Sequence, residues 1–178
     1  MSDKQTATFA GGCFWCLEAV FEQMLGVERV VSGYIDGQQP NPSYEAVCTG
    51  NTGHAEAVQI TFDAGQVTYG ELLGVFFSIH DPNTLNRQGN DVGSQYRSAI
   101  YYHSEEQRAE AAELMLELRR QHVFPDPLVT ELVAAPTFYP AEDYHQHYYA
   151  NHPAQGYCQF VVAPKVAKFR EHFSAKVK

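Results

Sequence analysis

The chain has 178 residues, 44% of them hydrophobic and 19% charged, and its 12 basic and 21 acidic side chains give a formal net charge of −9. That length suits one domain that buries a core without disulfide staples. The acidic balance argues against binding a nucleic-acid backbone, no apolar run reaches the roughly 18–20 residues of a membrane span, and the polar start lacks an export stretch, so a cytoplasmic protein is expected.

Thr6 to Ala10 is predicted as a strand ended by Gly11 and Gly12. A helix follows at once, with Leu17, Val20, Phe21, Met24 and Leu25 at helical spacing and Gly26 closing it. Val27 to Tyr34 reads as a second strand, and the stretch from Asp36 to Ser43, with two prolines, as turns. His54 to Phe62 alternates, so Glu56, Val58, Ile60 and Phe62 share one face of a third strand. Thr68 and Glu71 make a capping-box pattern opening a helix that carries Leu72, Val75, Phe76 and Ile79 on one side and stops before Pro82. The polar run from Asp81 to Gln95 reads as a loop, Tyr96 to His103 as a fourth strand, and Ser104 to Arg120 as a helix whose final arginines suit its C-terminus. Leu128 to Ala134 offers a fifth strand. From Pro136 to Gln159 the pattern dissolves into aromatics, histidines and prolines, and a last helix begins near Pro164 with Val166, Phe169 and Phe173 inward. The order strand, helix, strand, strand, helix, strand is that of an α+β, ferredoxin-like two-layer sandwich (βαββαβ core), here with an irregular C-terminal arm and a final helix, as one domain over residues 1–178.

Four cysteines, Cys13, Cys16, Cys48 and Cys158, are expected as thiols in an unexported protein. A C-x-x-C pair such as Cys13-Phe14-Trp15-Cys16 binds metal, exchanges disulfides or packs. Zinc normally takes a second pair, and none exists; His145, His147 and His152 would be distant partners, so a zinc-stabilised binding module is a minor reading. The position of Cys13 at a helix start, after two glycines, favours a thiolate nucleophile, because exposed backbone N–H groups stabilise the anion. Phe14 and Trp15 are either core or the lining of a pocket for an apolar group. Glu56, on an apolar strand face, is either hydrated at the sheet rim or desolvated and proton-bearing, the state a general acid needs. No Lys or Arg lies between Arg29 and Arg87, so no cation close in sequence holds Glu56 ionised. The basic residues from Lys165 onward read as a solvated helix face, and Cys48 as a buried, inert thiol.

The segment Gly11-Gly-Cys-Phe-Trp-Cys16 resembles the signature of the A-type peptide methionine sulfoxide reductases. Asn41 to Cys48, Thr52 to Val58, Arg87 to Asp91, Gly93 to Ser98, Ala141 to His145 and Gly156 to Cys158 resemble further family blocks in the family's order. The resemblance implies reduction of the S epimer of methionine sulfoxide, in proteins and as the free amino acid, without a cofactor or metal. On these positions Cys13 attacks the sulfoxide sulfur, Glu56 protonates the oxygen with help from the Tyr44 and Tyr96 hydroxyls, and Cys13 becomes a sulfenic acid. Phe14 and Trp15 would hold the substrate methyl, with Asp91 and Tyr148 close by. Cys158 matches the recycling cysteine of many relatives and Cys16 that of some; both are candidates, Cys158 the favoured one, with thioredoxin as reductant. The competing reading is a thioredoxin-like disulfide oxidoreductase, which leaves Glu56 without a role.

Overall fold

The structure, a computed structural model, describes residues 3–178. Strand β1 (Lys4–Ala10) passes through Gly11 and Gly12 into helix α1 (Phe14–Phe21), followed by β2 (Val27–Ile35), α2 (Tyr44–Cys48), β3 (Ala55–Asp63) and α3 (Tyr69–Ile79). A short hairpin of β4 (Arg87–Gln88) and β5 (Asp91–Val92) lies within the stretch expected to be loop. Then come β6 (Ala99–Tyr102), α4 (Glu105–Arg120), β7 (Glu131–Ala134), β8 (Phe138–Pro140), α5 (Tyr148–Asn151) and α6 (Ala163–His172). Six strands form one sheet in the order β7-β6-β1-β3-β2-β8, antiparallel except for the β6–β7 pair, so the fold is mixed α/β.

The central strand β3 is where alternation and burial meet. Val58, Ile60 and Phe62 join Phe9 of β1, Val20 and Phe21 of α1, Leu72 and Phe76 of α3 and Phe169 of α6 in one core. Each fully buried side chain of this size contributes about 1.5–3 kcal/mol relative to exposure. The opposite face is thin: Ala10, Ala55, Ala57 and Ala99 with Ile35 and Tyr101, covered by Phe138. Glu56 belongs to the thick face, opposite Tyr34 of β2 and completely within the interior. The predicted caps form: Thr68 and Glu71 make a reciprocal capping box, and Ser104 accepts the Gln107 N–H.

The glycines before α1 serve packing. A Cβ on Gly11 would meet the His80 ring at 2.9 Å, and one on Gly12, whose φ is +90°, would meet the Gln88 side chain at 2.9 Å. The chain therefore turns sharply into α1 beneath these two side chains, which only glycine permits.

Some boundaries differ from expectation. Helix α1 ends at Phe21, because tight turns (Gln23 N–H to Val20, Met24 N–H to Phe21) take over before Gly26, and Leu25 bonds to the chain end at Lys176. Tyr96 sits in a 3-10 turn (Ser94–Tyr96) after Gly93, and the strand starts three residues later. Phe173 is half-buried against the core. Cys48 is exposed, correcting the expectation that it is buried, because α2 turns only Val47 fully inward.

Candidate active site

Cys13 is the N-cap of α1, with an extended backbone and no side-chain cap bond of its own. Glu56 projects from β3 against the same helix start, and its Oε1 accepts the Phe14 backbone N–H at 3.2 Å. Its Oε2 is buried without a hydrogen-bond partner. Burial dominates its ionisation and pushes the carboxyl from the usual 4.5 up to about 8; the Phe14 N–H opposes this, and the charges of Asp91 and Cys16 add to it. At neutral pH Glu56 is therefore a carboxylic acid. The choice between a hydrated rim carboxylate and a desolvated acid falls to the acid.

The thiol behaves differently from the helix-start expectation. Burial raises the Cys13 thiol well above its ordinary value, its hydrogen bond to Cys16 and the Glu56 charge raise it further, and only the Trp15 N–H pulls it down. Cys16 moves the other way: the Cys13 S–H donated to its sulfur outweighs burial, helped by Lys165 and by the Tyr157 hydroxyl. The two thiols are thus pushed apart, Cys13 up and Cys16 down, which runs against the sequence expectation of a lowered thiol at Cys13: desolvation exceeds the N-terminal dipole.

Phenols surround the acid. Tyr44, at the start of α2, and Tyr96 are both raised chiefly by burial and next by the Glu56 charge, so both remain O–H donors. Tyr44 is positioned through its backbone N–H to Glu142 Oε2 at 3.0 Å, while Tyr34 donates to Oε1 of the same carboxylate at 2.8 Å. Phe14 is fully buried between Tyr34, Tyr44 and His145, with ring centroids at 5.7, 6.4 and 5.1 Å. Trp15 stacks on Tyr148 of α5 at 3.8 Å and 6°, and donates its Nε1–H to His145 Nδ1 at 3.1 Å.

The arm closes the other side. Tyr157 donates to Asp91 Oδ2 at 2.5 Å and its ring meets the edge of Trp15. Asp91, Tyr157 and Cys13 line a cavity of about 730 Å³ that continues past Gln88 to Lys165. Cys158 is fully buried at the start of a π-turn (Cys158–Val162), and the thiol whose charge it feels is Cys16.

All ten residues singled out from sequence fall within this neighbourhood, on α1, α2, β3, β5, the turn before β6 and the arm. Four others were missed. Tyr157 and Glu142 lie inside the motif blocks already quoted, His145 stands in the sequence only as a candidate zinc partner, and Lys165 falls in a basic run that signals a solvated helix face. Among the described residues, the cysteines and histidines weighed for zinc do not meet: the one cluster with ligand-like spacing is Glu18, Glu22 and His147.

A buried thiol pair at a helix start, set against a protonated carboxyl and two phenols, defines a thiol-dependent oxidoreductase whose substrate carries an oxygen to be protonated. The sequence matches the Peptide methionine sulfoxide reductase family over residues 5–177. It is 59% identical over 173 residues, 97% of this chain and 91% of the other, to the peptide methionine sulfoxide reductase MsrA of Polynucleobacter asymbioticus. The fold is similar to the crystal structure of reduced Mxr1 from Saccharomyces cerevisiae, with a TM-score of 0.81 at 33% identity over 89% of this chain and 92% of that one. A structure of the same yeast protein in complex with Trx2 aligns with a TM-score of 0.59 at 25% identity, covering 83% and 88%. The chain belongs to the peptide methionine sulfoxide reductase family, and its activity is thiol-dependent reduction of methionine sulfoxide.

Proposed function

We propose that this site reduces the S epimer of methionine sulfoxide, both in oxidised proteins and as the free amino acid, with Cys13 as nucleophile and Glu56 as proton donor. The single observation that carries the assignment is the sealed Glu56 carboxyl, bonded to the Phe14 N–H beside Cys13 and kept protonated up to about pH 8. A sulfoxide oxygen leaves poorly unless a proton reaches it as sulfur attacks sulfur. Cys13 sulfur bonds to the substrate sulfur, the S–O bond breaks with the oxygen protonated from Glu56, and return of that oxygen as hydroxyl to Cys13 releases methionine and leaves a sulfenic acid. Tyr44 and Tyr96 supply further O–H donors to the oxygen. Phe14 and Trp15 offer the apolar contact for the methyl group, with Asp91 and Tyr148 at its edge.

Cys16 is the first resolver in this reading and Cys158 the second. Support comes from the closeness of Cys13 and Cys16 at the helix start, where each thiol shifts the other, and from the charge of Cys16 acting on Cys158 after burial. Residues three apart at a helix start bring Cβ atoms to about 5–6 Å, and the extended N-cap backbone of Cys13 can close the rest to a disulfide. The resulting disulfide is reduced by thioredoxin, as the complex of the yeast relative with Trx2 suggests. Residues 1–178 form one reductase domain, the β6-β1-β3-β2 order supports a ferredoxin-like core, and the free thiols fit the reducing cytoplasm.

The test is Cys13→Ser with the two sulfoxide epimers supplied separately and methionine measured by chromatography. Methionine release from the S epimer should vanish while the circular dichroism spectrum stays native. Retained turnover would remove Cys13 from the mechanism.

A further inference from the structure

Helix α6 packs across α1 and brings one cation to the thiol pair. Lys165, half-buried on its first turn, lines the same cavity as Cys13, Asp91 and Tyr157. No carboxylate among the described residues lies within ion-pair distance of it. Its neighbour on the cavity wall, Lys168, is already engaged, donating to the Ser78 carbonyl at 2.7 Å.

We propose that Lys165 is a positioning residue that holds the Cys16 sulfur as a thiolate, ready to attack oxidised Cys13. This rests on the reading above that Cys16 resolves the sulfenic acid. The groups facing Cys16 come from five places: Cys13 ahead of α1, Glu56 on β3, Asp91 on β5, Tyr157 and Cys158 on the arm, and Lys165 on α6. The Cys13 thiol and the Tyr157 hydroxyl, whose proton goes to Asp91 Oδ2, pull the Cys16 thiol down, Asp91 repels its anion, and Glu56 is uncharged at neutral pH. Once Cys13 is oxidised its S–H is gone, and with it the largest of the influences that lower the Cys16 thiol. Lys165 is then the one positive charge left among these groups. In the step itself the Cys16 thiolate forms the S–S bond to Cys13, the Cys13 S–O bond breaks, and the hydroxyl leaves as water with a proton from Glu56, which recovered one from the Cys13 thiol when that sulfur attacked the sulfoxide. Cys16 sulfur is oxidised and Cys13 sulfur reduced by the same amount.

The experiment supplies one equivalent of methionine-S-sulfoxide to the reduced full-length enzyme without thioredoxin, quenches at intervals by alkylation, and quantifies the Cys13–Cys16 disulfide by peptide mapping between pH 5.5 and 9. In Lys165→Met the disulfide should form about tenfold more slowly at pH 6.5, as a thiol titrating about one pH unit higher would, and the gap should close by pH 9. Lys165→Arg should restore the profile, and Lys168→Met should follow the wild type. Lys165→Gln carries the same test where the methionine variant melts early. A wild-type pH profile in Lys165→Met, or a slowing equal at every pH, overturns the proposal while leaving Cys16 as resolver. The reading beneath it fails separately, if Cys16→Ser forms a Cys13–Cys158 disulfide at the wild-type rate.

Discussion

Replacing Glu56 by Gln separates what this carboxyl does for chemistry from what it does to the fold. The amide is nearly isosteric and its oxygen still accepts the Phe14 N–H, but it has no transferable proton. Moving the carboxyl from its usual 4.5 to about 8 makes its ionised form about 5 kcal/mol less favourable in the folded chain than in the unfolded one. The sign follows from proton counting. Between pH 4.5 and about 8 the folded chain retains a proton that the unfolded chain has lost, so Glu56 lowers stability by up to about 1.4 kcal/mol for each pH unit gained, levelling off above about 8. Glu56→Gln lacks this slope. Measured by urea unfolding, the variant should match the wild type at pH 4.5 and exceed it progressively, by several kcal/mol at pH 8. In single-turnover methionine release it should be slower by about 10²–10⁴-fold, the range of general acid catalysis, and the wild-type rate should fall as pH rises through about 8. Parallel stability curves for the two proteins from pH 4.5 to 8 would mean that Glu56 is ionised in the fold, and the proton-donor reading would collapse with them.

Two further outcomes follow from the arm and the core. Cys158→Ser should still release one methionine and form the Cys13–Cys16 disulfide, yet stall in steady-state turnover with thioredoxin; unimpaired multiple turnover would show that the reductant reaches the first disulfide directly. Phe169→Ala, at a fully buried position of α6 beside the half-buried Phe173, should cost about 3–5 kcal/mol in urea unfolding. A loss below about 1 kcal/mol would mean that α6 is not docked as described.

Local pattern carried far along this chain. The strict alternation from Glu56 to Phe62 located β3 and its inward face, and the Thr68–Glu71 pair marked the start of α3 to the residue. Both signals are short-range, set by the period of two and by cap chemistry. Where the sequence left two readings of Glu56, the deciding fact is tertiary: β3 lies in the middle of the sheet with α1 across it, so the carboxyl is almost wholly buried. The same limit misled the reading of Cys13. A helix N-terminus is visible in sequence and argues for a thiolate, but the burial that outweighs it is not. The arm was least legible. His145, Tyr148 and Tyr157 follow no period, and their contacts with Trp15 span 130 or more positions in the chain. Lys165 sat in a run of basic residues, a pattern that normally means a solvated face; only the crossing of α6 over α1 brings it to the thiols.

The resting distribution of charge also bears on why the pair is a pair. Thiolates, not thiols, are the species oxidised by adventitious oxidants, so an ionised Cys13 facing open solvent would be lost to over-oxidation between turnovers. Here Cys13 waits as a neutral thiol behind the arm, Glu56 waits as a neutral acid, and the more deeply buried Cys16 is the thiol of the pair that is pulled down. An ionised Cys13 beside an ionised Glu56 would put two like charges in a buried space, a repulsion that adds to the raised Cys13 thiol. On the proposed mechanism a sulfoxide entering the site brings an oxygen that accepts the Glu56 proton, and the carboxylate left behind can take the proton of Cys13 as its sulfur attacks. Nucleophile and acid would then be activated together, by the substrate.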